Sequence, residues 1–309
     1  ALMNFPASFS ALSWQSLIGD LIPENRRASF FSRRNRMLTI VGLLSTLIPG
    51  LILQRFPDSD VHPFQIFFVI SFLLSLLEVY YLMLHTEHTE HRPDRQAPTL
   101  LTPRRFWGCM KRRPYLVYLI GIVLFNLGWQ MAWPLFSIYQ IQYAGATAIW
   151  VSGFTVANQL SQILTFSFWG RLSERYGNKM MLGVAFFGMA INPVIMLFST
   201  NLVYLVLINL LTGTFVAGTT MLQFNHLLEV VPEQERTTYI AHFNIIAGAV
   251  GFIAPELGVG LLSLLHMNVT LIISSLIRLL GMGYFVWFAW REIKHRRGLT
   301  HHAERDLSL

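Results

Sequence analysis

Long apolar runs alternate along this chain with short polar ones. Crossing the hydrocarbon core of a bilayer takes about 20 mostly apolar residues in a helix. Eight segments approach or exceed that length, at 38–54, 64–84, 114–138, 149–169, 180–200, 202–227, 239–264 and 269–290. Pro134, Pro193 and Pro255 fall inside three of them. Membrane helices tolerate such residues where neighbours satisfy the freed backbone groups. The opening stretch ALMNFPASFSALSWQSLIG is apolar too, but no basic residue precedes it, so it does not resemble a secretory signal. It reads as the end of a helix already in progress. The pattern predicts an all-α, polytopic membrane protein.

Composition supports this. The chain has 309 residues, of which 53% are hydrophobic and only 13% charged, against about 25% charged in a soluble domain. A soluble fold of this size would lack the polar residues to cover its surface. The one cysteine, Cys109, excludes an internal disulfide and any multi-cysteine metal site, and reads as a loop residue.

The net charge of +7 is informative through its placement. The connections 20–37, 85–113, 170–179 and 228–238 and the tail 291–309 hold 21 of the 23 Lys and Arg residues. The intervening connections carry only Arg55, and Arg278 lies within an apolar run. Basic connections alternate with nearly uncharged ones at each crossing, which places the basic set, with the C-terminus, in the cytoplasm. Nucleic-acid binding would explain the arginines but not the alternation. The polar, proline-containing stretch 85–113 reads as a linker between two helix groups, with Phe106 and Trp107 at the membrane surface. Its HTEHTEH segment, with His85, His88 and His91, has a spacing that suits a metal only if helical; a solvated linker explains it more simply.

Two of the basic connections echo one another. At a constant offset of 209 without gaps, Asp20 matches Glu229, Pro23 matches Pro232, Glu24 matches Glu233 and Arg27 matches Arg236. Asn35 then matches Asn244 and Gly42 matches Gly251. Such an echo is the mark of two halves related by an axis along the membrane normal. If the halves match, roughly 95 residues, about three and a half helices, would precede Ala1, and the chain would be N-terminally truncated.

The connection GRLSERYGNKMML, Gly170 to Leu182, resembles the signature loop of the major facilitator superfamily, roughly G-x-L-a-D-r-x-G-r-K/R-x-x-L. Gly170, Leu172, Arg175, Gly177, Lys179 and Leu182 match, while Glu174 stands where Asp is usual and Asn178 where Arg is usual. Glycines at this spacing permit a tight turn and close helix approach. The acidic and basic groups suit charge-assisted bonds that latch neighbouring helix ends. The PENRR and PEQER stretches resemble the loop after the fourth helix of each half, and the first is similar to that of a group of bacterial members. The resemblance covers essentially the whole chain. It implies a major facilitator fold missing about three and a half N-terminal helices. Residues 1–84 would be the remainder of the N-terminal bundle, namely the end of helix 4 with helices 5 and 6. Residues 85–113 would be the linker between halves, 114–290 the C-terminal bundle of helices 7–12, and 291–309 a basic tail.

The resemblance further implies alternating access around a site near the midplane, lined by the first, fourth, seventh and tenth helices of the full fold. On the seventh, 114–138, Asn126 and Gln130 share a helix face, as do Trp129 and Trp133. These amides and indoles suit a neutral or aromatic-tolerant solute, and equally suit interhelical hydrogen bonding and packing. On the eighth, Asn158 and Gln162 share a face where helix-to-helix bonding is the stronger reading. Asn209, Thr212 and Gln223 are the candidates on the tenth. Glu256 and Arg278 both fall about 12–14 Å deep on neighbouring helices, where one unpaired charge costs about 2.5–3.5 kcal/mol. They are expected to form an ion pair, structural or engaged in ion coupling. The GAVGFIAPELGVG segment spaces Gly248, Gly251, Gly258 and Gly260 for close helix packing.

The reading is a gradient-driven secondary transporter of a small solute in the cell membrane, a monomer without cofactors, with a proton or ion as the possible co-substrate. The alternative is a non-transporting or inactive truncated protein on the same scaffold. No P-loop, HExxH or nucleophile elbow points to an enzyme.

Overall fold

The computed structural model describes residues 24–53, 62–83 and 103–306. Among them every regular element is helical. In chain order these are α1 (Glu24–Leu53), α2 (His62–Met83), the short α3 (Pro103–Cys109), α4 (Arg113–Ile138), α5 (Ala148–Tyr176), α6 (Asn178–Met196), α7 (Leu202–Val230), α8 (Arg236–Leu264) and α9 (Met267–Asp306). A π turn, Tyr139–Tyr143, follows α4, and a 3-10 turn, Glu233–Glu235, precedes α8.

Local chemistry sets several boundaries. α7 begins after Asn201, whose Oδ1 accepts hydrogen bonds from the backbone N–H groups of Val203 at 2.9 Å and Tyr204 at 3.2 Å. That satisfies two of the donors a helix start leaves open. α5 and α6 are joined by Gly177 alone, at φ 85° and ψ 147°, a conformation in which only glycine is at ease.

Two expectations about connections need correction. The basic run 20–37 is helical from Glu24 onward, and the connection after α7 shrinks to two residues, Val231 and Pro232, before helical geometry resumes. In the second copy helical geometry resumes at Glu233, directly after the extended Pro232. The expectation for Cys109 also fails. It closes α3 and is 4% exposed, packed in the main apolar cluster.

Among the described residues, five helical segments are long and apolar enough to span a membrane: Arg113–Tyr143, Asn178–Met196, Leu202–Val230, Glu233–Leu264 and Met267–Phe288. α2 adds the shorter apolar helix Gln65–Tyr81. α5 has ample length but is interrupted by Asn158, Gln159, Ser161 and Gln162.

Contacts divide the chain into two units, Leu38–Thr99 and the remainder, Ala1–Met37 with Leu100–Leu309. In the larger unit the helices pack as neighbours in the order α8, α4, α9, α6, α7, α5. This arc has α5 and α8 at its two ends. Glycines bring its members close. A side chain at Gly213 would collide with the Asn158 carbonyl across the α5–α7 seam, and one at Gly258 with the Met131 carbonyl across α4–α8. Gly251 and Gly258 therefore do the close packing expected of their segment, whereas Gly248 and Gly260 face open space.

Candidate functional site

The four helices α4, α5, α7 and α8 carry most of the polar residues singled out from sequence. On α4, Asn126 is buried and makes no hydrogen bond among the described residues. Gln130, one turn on, lies against Gly251 of α8, where an added Cβ would stand 2.8 Å from its Oε1. Trp129 and Trp133 meet edge to face with ring centres 6.4 Å apart, and Trp133 is exposed.

The candidates on α5 and α7 are tied to one another. Gln162 donates to Asn158 Oδ1 at 2.7 Å, and Asn158 Nδ2 donates to the Asn209 carbonyl at 3.3 Å. Asn209 Nδ2 turns back to the Leu205 carbonyl of its own helix. The same seam is closed by Ser161 with Thr214 at 2.7 Å and by Trp169 Nε1 donating to the Thr214 carbonyl at 2.7 Å. Thr212 Oγ1 lies 2.6 Å from Asn192 Oδ1 of α6 and 2.7 Å from the Ile208 carbonyl. A hydroxyl has one proton, so it donates to one of these two oxygens at a time. At Gln223 the backbone carbonyl accepts from Tyr118 at 2.9 Å, while the side-chain Nε2 is buried without a partner among the described residues.

The loop 170–182 is built around a crossing of α5 with the first turns of α1. An added Cβ at Gly170 would stand 2.8 Å from Ser32 Cβ, and Arg36 donates to Ser167 Oγ at 3.1 Å. Phe31 reaches α7, edge to face with Phe224 at 5.1 Å. Leu172 packs on the main core and Leu182 is wholly buried. Glu174 and Arg175 are exposed, with the Arg175 guanidinium 5.2 Å from the Tyr176 ring centre. Lys179 is half-buried. The charge latch runs through Asn178, the position where the signature departs from its usual Arg. Asn178 Nδ2 donates to Glu229 Oε1 at 2.6 Å, and Glu229 Oε2 meets His226 Nδ1 at 2.7 Å. The carboxylate only accepts, so His226 carries a proton on Nδ1. The buried Arg27 guanidinium acts on the same carboxylate through space.

A model of the Major Facilitator Superfamily matches the chain over two overlapping segments, residues 1–158 and 119–308. The chain belongs to the major facilitator superfamily. It is a membrane transporter of that superfamily by descent, and its helical, polytopic fold accords with it. No curated protein matches it.

For this superfamily member the expected Glu256–Arg278 pair does not form. Glu256 is exposed on α8, whereas Arg278 on α9 is 0% exposed. Arg278 Nη1 donates to the Met189 carbonyl at 2.6 Å and Nη2 to the Trp129 carbonyl at 3.4 Å. α9 turns Arg278 toward α4 and α6, its principal neighbours, and makes little contact with α8. Depth alone placed the two charges at one level; it carried no information about the direction each faces.

Sequence reasoning missed several groups. His226 and Asn192 gave no signal beyond their polarity. Arg27 and Arg236 did: the repeat pairs them, and both are buried, at 6% and 2% exposure. Arg236 Nη2 lies 3.8 Å from Glu233. At the start of α4, Tyr115 Oη meets His242 Nδ1 at 2.7 Å, with the Phe106 ring of α3 tilted against the His242 ring, centres 4.3 Å apart. Phe106 is thus an anchor of α3, and Trp107 alone of that pair is exposed. The histidines of HTEHTEH lie outside the described residues.

Proposed function

We propose that the chain is a secondary transporter that moves a small solute by alternating access, driven by a solute or ion gradient. The observation that carries this reading is the contact of α1 with the arc at Gly170 and Ser32, beside the Asn178–Glu229–His226 cluster. These are short, polar, separable contacts at one end of the helices, suited to forming in one state and breaking in another. The arc leaves α5 and α8 at its ends, so α4, α5, α7 and α8 would line the path. Asn126, Gln130, Trp129 and Trp133 on α4 supply amides and indoles for a neutral or aromatic-tolerant solute, with Gln223 opposite. Asn158, Gln162, Asn209 and Thr212 serve chiefly to hold helices together, given their mutual hydrogen bonds.

The basic connections support a cytoplasmic C-terminus in a cell-membrane protein. The repeat supports a two-bundle organisation, with 85–113 between halves. A monomer without cofactors suffices for this mechanism, and a proton or another ion is the natural co-substrate.

Flux into proteoliposomes, measured across a panel of neutral, aromatic and charged solutes with and without a pH or sodium gradient, tests the reading. Uptake of one class that collapses with its gradient supports it. No flux for any class, from protein that is folded and inserted, favours the alternative of a non-transporting protein on the same scaffold.

A further inference from the structure

Arg278 is the most deeply buried charge described in the molecule, and no carboxylate lies within ion-pair distance of it among the described residues. Its partners are two backbone carbonyls on two other helices, Met189 of α6 and Trp129 of α4. In an α-helix the carbonyl of residue 189 receives the N–H of residue 193. Residue 193 is proline, inside α6 and buried, and proline has no N–H to give. The shorter of Arg278's bonds, 2.6 Å, falls on the carbonyl that Pro193 leaves without its donor.

The surroundings fit this role. Gly128 on α4 makes room for the arginine stem, since an added Cβ would stand 2.9 Å from Arg278 Cγ. Ser274, one turn earlier on α9, donates to the Gly128 carbonyl at 2.8 Å. The guanidinium carbon lies 5.8 Å from the Phe136 ring centre, within cation–π range. In a bilayer an unbonded carbonyl and an unpaired guanidinium are both costly, and here each relieves the other.

We propose that Arg278 is a positioning residue. It supplies the hydrogen-bond donor that Pro193 removes from α6, and through Trp129 it fastens the proline-bearing helix to the Asn126–Trp133 segment of α4. That α4 segment is a solute face only on the transporter reading; the clamp itself does not depend on it.

Four proteins test the clamp: the parent, Arg278→Met, Pro193→Ala and the double variant, each followed by thermal unfolding in lipid or detergent. Pro193→Ala restores an N–H for the Met189 carbonyl. Arg278→Met is expected to lower Tm by several degrees in the parent and by less than half as much in the Pro193→Ala background. An equal drop in both backgrounds overturns the proposal. Should Arg278→Met not accumulate, the same comparison is made with Arg278→Gln, which keeps a shorter donor.

A second readout reports position. In a Cys109→Ser, Asn126→Cys background, maleimide labelling well below the unfolding temperature is expected to change at least threefold on Arg278→Met. Arg278→Lys, which retains a cationic donor for Met189, is expected to restore most of the parent rate. A labelling rate unaffected by Arg278→Met overturns the positioning role. Neither readout requires transport, so failure here is distinct from failure to find a solute.

Discussion

Asn178 donates a 2.6 Å hydrogen bond to Glu229, joining the first turn of α6 to the last turn of α7. Glu229 is the repeat partner of Asp20, and Asn178 occupies the signature position usually held by Arg. A neutral amide thus does the work of a cation, and His226 supplies the second donor. The expected coupling is about 1 kcal/mol, the usual net value for one hydrogen bond. A double-mutant cycle of Asn178→Ala and Glu229→Gln by thermal unfolding measures it; additive losses would show that the two side chains do not interact.

Gly177 is predicted to resist every substitution. At φ 85° and ψ 147° it lies outside the left-handed region that asparagine tolerates. Both Gly177→Ala and Gly177→Asn should cost about 1–3 kcal/mol, measurable as a fall in unfolding midpoint. A tolerated Asn would mean that the turn relaxes into another conformation.

The α1–α5 crossing gives a suppressor pair. Gly170→Ala sets a methyl 2.8 Å from Ser32 Cβ, closer than side-chain carbons pack. It should loosen the contact and raise protease access to the start of α1. Adding Ser32→Gly removes the obstructing atom, and the remaining neighbour, the Ala28 carbonyl at 3.4 Å, is in ordinary contact. The double variant should therefore behave like the parent.

The thiol of Cys109 should be slow to alkylate. Burial, and then the negative charge of Glu235, push its pKa up, against a smaller opposing effect of a backbone hydrogen bond. The reactive thiolate is scarcer in the folded than in the unfolded protein at any given pH. Maleimide labelling at pH 7–8 should therefore accelerate on unfolding, and the folded protein's rate should rise only at higher pH than that of a free cysteine. Because the folded pKa is raised, ionising the thiol destabilises the fold as pH climbs past the unfolded value. Phe106→Ala, by loosening α3, should speed labelling at fixed pH.

Asn126 and Asn158 should part company. Asn158 bonds Gln162 and the Asn209 carbonyl, so Asn158→Ala should cost stability of about 1 kcal/mol. Asn126 makes no such bond, so Asn126→Ala should leave the unfolding midpoint nearly unchanged and alter solute affinity in a flux assay. Gln130→Ala should also alter affinity. Wild-type flux parameters in both α4 variants would remove these residues from the path.

Much of this was legible because membrane insertion writes itself into composition and period. Apolar length announced the helices, and the 209-residue offset matched Arg27 to Arg236, which share burial. Polar seams between helices were harder to read. An amide at mid-depth looks alike whether it faces a path, as proposed for Asn126, or a neighbouring carbonyl, as Asn158 does.

The sequence by itself determined that this is a helical membrane protein of the major facilitator type, since hydrophobic period, charge alternation and the Gly170–Leu182 spacing are properties of the linear chain. Only tertiary structure decided which polar groups are partners. Arg278 and Glu256 share a depth but not a direction, because α9 packs chiefly on α4 and α6 and little on α8. The partner Arg278 takes is a carbonyl left open by Pro193 on a third helix. A missing backbone hydrogen has no trace at residue 278, and only the packing of α6 beside α9 brings the two together.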